Sequence, residues 1–172
     1  SDPDTSDTSL TVNFYGRPVG TTSGADFSLY IYPDIQNLSQ SSPTVLNSMS
    51  NYIVSQKTAH NIAFATSMGD LVNTSSSATQ YQAADAGFDI LDTDGTIPYS
   101  VGPGNHDTGS GTLYPTYFGN ARFSGKSWYQ GYYTSGSDNY NSYSFFSASG
   151  NDFIVINLQY QPTTAMTDWA DG

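Results

Sequence analysis

Residues 62–73 read IAFATSMGDLVN, and the way this stretch divides decides the fold. Ile62-Ala-Phe-Ala-Thr66 is a short apolar run of the kind buried in a parallel sheet, and Gly69-Asp70 ends it with a polar turn. Upstream, Ser42-Pro43 opens a helix predicted from about Thr44 to His60. Pro43 stands in its first turn, Val45, Met49, Tyr52, Ile53 and Gln56 fall at helical spacing, and Lys57 and His60 lie near its negative end. Before it, Phe27–Tyr32 (FSLYIY) is an apolar and aromatic strand stopped by Pro33. Downstream, Tyr81, Ala84, Phe88 and Leu91 share one face of a second helix over Ala78–Leu91, and Ile97–Val101 (IPYSV) is a third strand. Strand, helix, strand, helix, strand implies a parallel βαβαβ sheet with right-handed crossovers.

Outside this unit the patterns are weaker. Residues 1–8, SDPDTSDT, read as a flexible acidic linker, and Leu10–Phe14 alternates like a short strand. The domain is expected to span 9–172. Residues 108–141 are rich in Gly, Ser and Tyr and read as a long surface excursion. Tyr143–Phe146 and Phe153–Ile156 read as two strands joined by a turn at Gly150-Asn151-Asp152.

Composition removes several function classes. The chain has 172 residues with a formal net charge of −11, and its 15 acidic residues are all Asp. Its four basic residues are Arg17, Lys57, Arg122 and Lys126. Such a balance excludes a basic nucleic-acid groove and binding to anionic membrane surfaces. With no cysteine there is no disulfide, thiolate metal site or thiol nucleophile. No apolar stretch approaches the roughly 20 residues of a membrane helix. Charged residues make up only 11%, while 25 Ser and 19 Thr supply the polarity. With sequons at Asn37 (Asn-Leu-Ser) and Asn73 (Asn-Thr-Ser), this points to a secreted or surface glycoprotein.

Three polar motifs follow the three strands: Pro33-Asp34-Ile35-Gln36, Gly69-Asp70-Leu71-Val72-Asn73 and Gly104-Asn105-His106-Asp107. In an open parallel sheet the carboxyl ends of the strands share one edge, where ligands bind. The motifs should therefore converge, joining carboxylates, amides and one imidazole in an oxygen-rich set suited to hard or borderline divalent ions.

The order Asp-x-(His/Gln), Gly-Asp-x-x-(Asp/Asn), Gly-Asn-His-(Asp/Glu) resembles the calcineurin-like metallophosphoesterase family. FSLYIYPDIQ, IAFATSMGDLVN, IPYSVGPGNHD, YFGNARFSGKSWY and FIVINLQY are similar to its secreted bacterial members with a Pro-Asp-x-Gln first motif. The resemblance implies an αββα sandwich, of which this chain supplies the N-terminal βαβαβ half and two further strands. It also implies a hydrolase with two divalent metal ions (Mn, Fe, Zn, Mg or Ca) acting on phosphate mono- or diesters. By the same resemblance Asp34 and Gln36 bind the first metal, Asp70 bridges, and Asn105 binds the second. His106 attends the leaving group and Asp107 orients it.

The departures count too. The family takes further His ligands from two later motifs, whereas this chain has two histidines, His60 and His106, and neither fits those roles. Half a sandwich leaves apolar sheet surface uncovered, so a C-terminal half or a neighbouring subunit is expected to complete it. Asp34, Asp70 and Asn105 have a plainer reading as caps of helices and turns. Likewise Trp128, Tyr129, Tyr132, Tyr133, Tyr140 and Tyr143 read first as packing. Asp85, Asp89, Asp92 and Asp94 read as a solvated helix face, and His60 as a helix-end residue. Two rivals to hydrolysis follow: a non-catalytic extracellular assembly protein on a degenerate half-domain, and a calcium-stabilised glycan-binding module.

Overall fold

The structure, a computed structural model, describes residues 25–172. The expected linker at 1–8 and strand at Leu10–Phe14 lie outside the described residues. The elements in chain order are β1 (Ser28–Tyr32), α1 (Gln36–Ser41), α2 (Pro43–Gln56), β2 (Ile62–Ser67), α3 (Ala78–Asp94), β3 (Tyr99–Ser100), α4 (Tyr114–Phe118), α5 (Asn120–Phe123), β4 (Tyr129–Tyr132), β5 (Ser142–Ala148), β6 (Asn151–Asn157) and α6 (Thr164–Asp171). The class is α/β.

Strands β1, β2 and β3 form a parallel sheet in that order, with Leu29 beside Phe64 and Ala65 beside Tyr99. Alternation along a strand sends successive side chains to opposite faces. Tyr32, Ala65 and Tyr99 thus join Leu46 and Ile53 of α2 and Tyr81 and Phe88 of α3 in one buried core. Tyr32 packs on Phe88 at 4.9 Å, and its hydroxyl bonds Ser50 at 2.7 Å. The other face carries Phe64 and Thr66, which meet a second, antiparallel sheet of β4, β5 and β6. Phe64 lies 5.0 Å from Phe146, and Thr66 bonds Ser100 at 2.9 Å and Asn157 at 3.3 Å.

Several expectations need correction. The excursion at 108–141 is not surface filler: it holds α4, α5 and β4, and sinks Tyr114, Phe118, Phe123 and Tyr140 into the core. Tyr114 and Phe118 stand four apart, one helical turn, a signal hidden by the surrounding Gly and Ser. Trp128 donates its indole N–H to the Tyr99 carbonyl at 2.9 Å, and with Tyr129 it packs against the core that holds Tyr140, as the plainer reading of these three had it. Helix α2 stops at Gln56, four residues before the predicted end. The hairpin turns at Ser149-Gly150, one residue early, with both residues at positive φ.

The acidic face of α3 is also not simply solvated. Arg122, its side chain 10% exposed, bonds Asp85, Asp89 (2.9 Å) and Asp92 (2.9 Å) and donates to the Tyr99 hydroxyl at 2.9 Å. Lys126 pairs with Asp92 at 2.5 Å and Lys57 with Asp94 at 2.7 Å. Every Lys and Arg among the described residues is thereby held by one helix. His60 lies past α2, exposed, with its Nε2 3.3 Å from the Tyr52 hydroxyl.

Apolar surface remains open where the packing ends. Leu29 and Ile31 of β1, on the face towards the second sheet, are 51% and 52% exposed. Phe145, Ile154 and Ile156 stand exposed on that sheet's outer face, where Trp169 of α6 covers Tyr143 at 5.9 Å.

Candidate functional site

The three motifs meet at the carboxyl edge of the parallel sheet. Ile35 donates its N–H to the Asp70 carbonyl at 3.2 Å, and Met68 donates to the Tyr32 carbonyl at 3.0 Å, tying the first loop to the second. His106 donates its backbone N–H to Asp70 Oδ1 at 2.9 Å, tying the second to the third. The two glycines fix how close these loops come. A methyl group built on Gly69 (φ 86) would stand 2.7 Å from the Gly104 nitrogen, and one built on Gly104 would strike the Asp70 carboxylate. Asp70 itself sits in the left-handed region at φ 47, which Asp tolerates better than most residues but at a cost of about 1 kcal/mol or more. Backbone strain of this kind clusters at ligand-binding turns.

The expected ligands divide as follows. Asp34 is exposed, and its two carboxylate oxygens accept from the backbone N–H and the side-chain amide of Gln36, both at 2.9 Å. The plainer reading is thus partly right, because Asp34, just before the N-cap Ile35, accepts the N–H of the first residue of α1, a helix the sequence did not announce. Gln36 has its Oε1 buried without a partner, an acceptor free to take a donor or a cation beside Asp34. Asp70 is half-buried at the centre, and Asn105 is exposed at the outer end of the third loop.

Asp107 departs from its expected role. It is fully buried and accepts backbone N–H bonds from Leu71 (3.0 Å), Val72 (3.2 Å) and Gly104 (2.8 Å). Burial pushes its carboxyl up to about 6 against those three donors. It is the rivet joining the second and third loops, not the partner of His106. That partner is the Asn73 carbonyl, 3.0 Å from His106 Nδ1. A carbonyl only accepts, so Nδ1 carries the proton and Nε2 is left free. The sequence places Asn73 in the second motif and in a sequon; its backbone role has no side-chain signal. The close approach at Gly104 has its sequence signal in Gly102-Pro-Gly104.

Other candidates near the site bond elsewhere. Ser67 Oγ accepts from Gly102 N–H at 3.3 Å, and Thr66 links the two sheets. Asn37 is exposed on α1, while Ser39 of its sequon is buried and bonded to backbone carbonyls of Ile35 (3.0 Å) and Leu71. Among the described residues no group of three or more His, Cys, Asp or Glu side chains is placed to hold a metal ion.

The chain is similar to a long bacterial protein. It is 32% identical over 140 residues to the uncharacterized protein YvnB of Bacillus subtilis (strain 168). That alignment takes in 79% of this chain but 11% of the relative, so the chain spans about a ninth of its relative's length. No family model matches the sequence, and no solved structure matches the fold.

Proposed function

We propose that this edge is the N-terminal half of a two-metal phosphoesterase centre on a metallophosphoesterase-like αββα sandwich. The observation that carries the reading is the convergence of Asp34, Asp70 and His106, with the orphaned Gln36 Oε1 beside Asp34. The donors fit hard divalent ions: Asp34 and Gln36 would hold one, Asp70 would bridge, and Asn105 would hold the other. When bound, such a pair supplies Lewis-acid polarisation of phosphoryl oxygens and a hydroxide at neutral pH.

The chain's own groups do the rest. Gly69 and Gly104 let the loops approach until Asp70 accepts from the His106 backbone, which fixes the carboxylate without a second side chain. His106, held at Nδ1 by the Asn73 carbonyl, presents Nε2 to the departing alkoxide and, as the doubly protonated imidazolium, would give that alkoxide the Nε2 proton. Asp107 keeps both loops in register from below.

Further ligands come from a C-terminal half or a neighbouring subunit, laid against the open faces at Leu29 and Ile31 and at Phe145, Ile154 and Ile156. The hydroxyl-rich surface and the two sequons support a secreted or surface location. The test is metal-dependent hydrolysis of phosphate esters by the native protein. Asp34→Asn and Asp70→Asn should each abolish it, and normal turnover in either variant would sink the assignment.

The exposed apolar faces also favour a second reading, an extracellular assembly protein that has kept the fold without the chemistry. Electron microscopy of dilute protein would then show regular oligomers or fibres. Strict monomers would count against it.

A further inference from the structure

We propose that Gln80 is a positioning residue for His106: through the peptide between Asn73 and Thr74 it sets which ring nitrogen carries the proton and where the other points. Ser77-Ala-Thr-Gln80 has the form of a capping box, in which the glutamine turns back on the N–H of the capping serine. The serine half of the box is kept, for Ser77 Oγ accepts the Gln80 N–H at 3.4 Å. The glutamine half is not. Ser77 gives its N–H to the Thr74 carbonyl at 2.9 Å, and the Gln80 side chain reaches past it into the second loop. There its Oε1 accepts two successive backbone N–H groups, from Asn73 at 2.8 Å and from Thr74 at 3.0 Å. Two donors facing one amide atom require an oxygen, so these partners settle the orientation of the amide.

The Thr74 N–H and the Asn73 carbonyl belong to one peptide unit. In a planar trans unit these two groups point in opposite directions. Holding the N–H therefore aims the carbonyl away from Gln80, and that carbonyl lies 3.0 Å from His106 Nδ1. Hydrogen bonds at the two ends of one peptide also polarise each other, which makes the carbonyl a stronger acceptor. Asp70 holds the backbone N–H of His106, but among the described residues the ring is held by the Asn73 carbonyl. The ring is thus referred, through one peptide, to the first turn of the 17-residue helix α3.

The use made of the ring rests on the phosphoesterase reading; the hold on it does not. When the imidazolium gives its Nε2 proton to the departing alkoxide, the N–H bond breaks and the alcohol O–H forms. The ring is left neutral with its remaining proton on Nδ1. That is the tautomer the Asn73 carbonyl accepts, so the same contact serves the ring before and after the transfer.

The experiment reads the two ring nitrogens of His106 by heteronuclear NMR of histidine-labelled native protein with Mg present, at about pH 9, above the ordinary imidazole range. His106→Gln assigns the signals, and His60, beyond the end of α2, is the internal control. Native protein should show mainly the Nδ1–H tautomer. Gln80→Met keeps the length and helix propensity of the side chain but removes the acceptor, and should raise the Nε2–H share at least about threefold. Gln80→Glu keeps an acceptor oxygen and should hold the native ratio. In hydrolysis assays with Mn, Gln80→Met should lower kcat on phenyl esters by about tenfold and change nitrophenyl esters little, with Gln80→Glu restoring the former. An Nε2–H majority in native protein would overturn the proposal, as would a ratio that Gln80→Met leaves untouched or that Gln80→Glu moves equally. Failure of native protein to hydrolyse either ester would sink the phosphoesterase reading, while the tautomer ratio would still decide the hold of Gln80 on His106.

Discussion

Replacing Gly104 with alanine tests the convergence of the loops at its tightest point. The added methyl would stand 2.7 Å from Asp70 Cγ and closer still to the Asp70 nitrogen and Oδ1. Ordinary carbon contacts begin near 3.5 Å, so one loop must retreat by roughly 1 Å. Overpacking of this kind costs about 1–3 kcal/mol. The retreat also stretches the bond from His106 N–H to Asp70 Oδ1, now 2.9 Å. A 1 Å misplacement of a reacting group costs on the order of 10²-fold in rate. Gly111→Ala is the control, because its methyl would meet nothing within 4 Å and only the positive φ of 71° is penalised. Backbone strain alone costs about 1–2 kcal/mol. Urea unfolding followed through Trp128 and Trp169, with metal-dependent hydrolysis alongside, should show both variants weakened. Only Gly104→Ala should lose activity, by about a hundredfold. Equal activity in the two variants would refute the claim that Gly104 sets the geometry around Asp70.

Other consequences can be checked with the same assays. Arg122→Ala leaves Asp85, Asp89 and Asp92 without their shared partner and should cost about 3–5 kcal/mol in urea unfolding, with metal affinity unchanged. Because burial holds the Asp107 carboxyl up at about 6, above its unfolded value, the fold binds the extra proton between about pH 4 and pH 6. Stability should therefore fall as pH rises through that window, by about 3 kcal/mol from this group, and Asp107→Asn should remove that part of the slope. His106→Gln should spare metal binding, measured by calorimetry, yet slow esters with poor leaving groups far more than nitrophenyl esters, since only the former need the proton from Nε2.

The parallel sheet was legible because its signals are local. Phe27–Tyr32 and Ile62–Thr66 are continuous apolar runs, and Tyr81, Ala84, Phe88 and Leu91 keep helical period, so three strands and two helices fall close to their predicted places. What failed to show has a common cause. Tyr114, Phe118 and Phe123 sit in helices of four or five residues, too short for periodicity to rise above the Gly and Ser around them. Arg122 and Lys126 lie thirty or more residues from the aspartates they hold, and such pairs leave no trace in local spacing. At the site, the convergence followed from Asp34, Asp70 and Asn105 each closing a strand. The inward turn of Asp107 and the hold of the Asn73 carbonyl on His106 did not, because backbone donors and acceptors carry no residue-type signature.

The most direct measurement of the central claim is anomalous diffraction from crystals of the native protein soaked in Mn. The account predicts peaks at the carboxyl edge, ligated by Asp34, Gln36, Asp70 and Asn105, and their loss in Asp70→Asn. Manganese bound only elsewhere, or peaks at this edge that persist in Asp70→Asn, would contradict it.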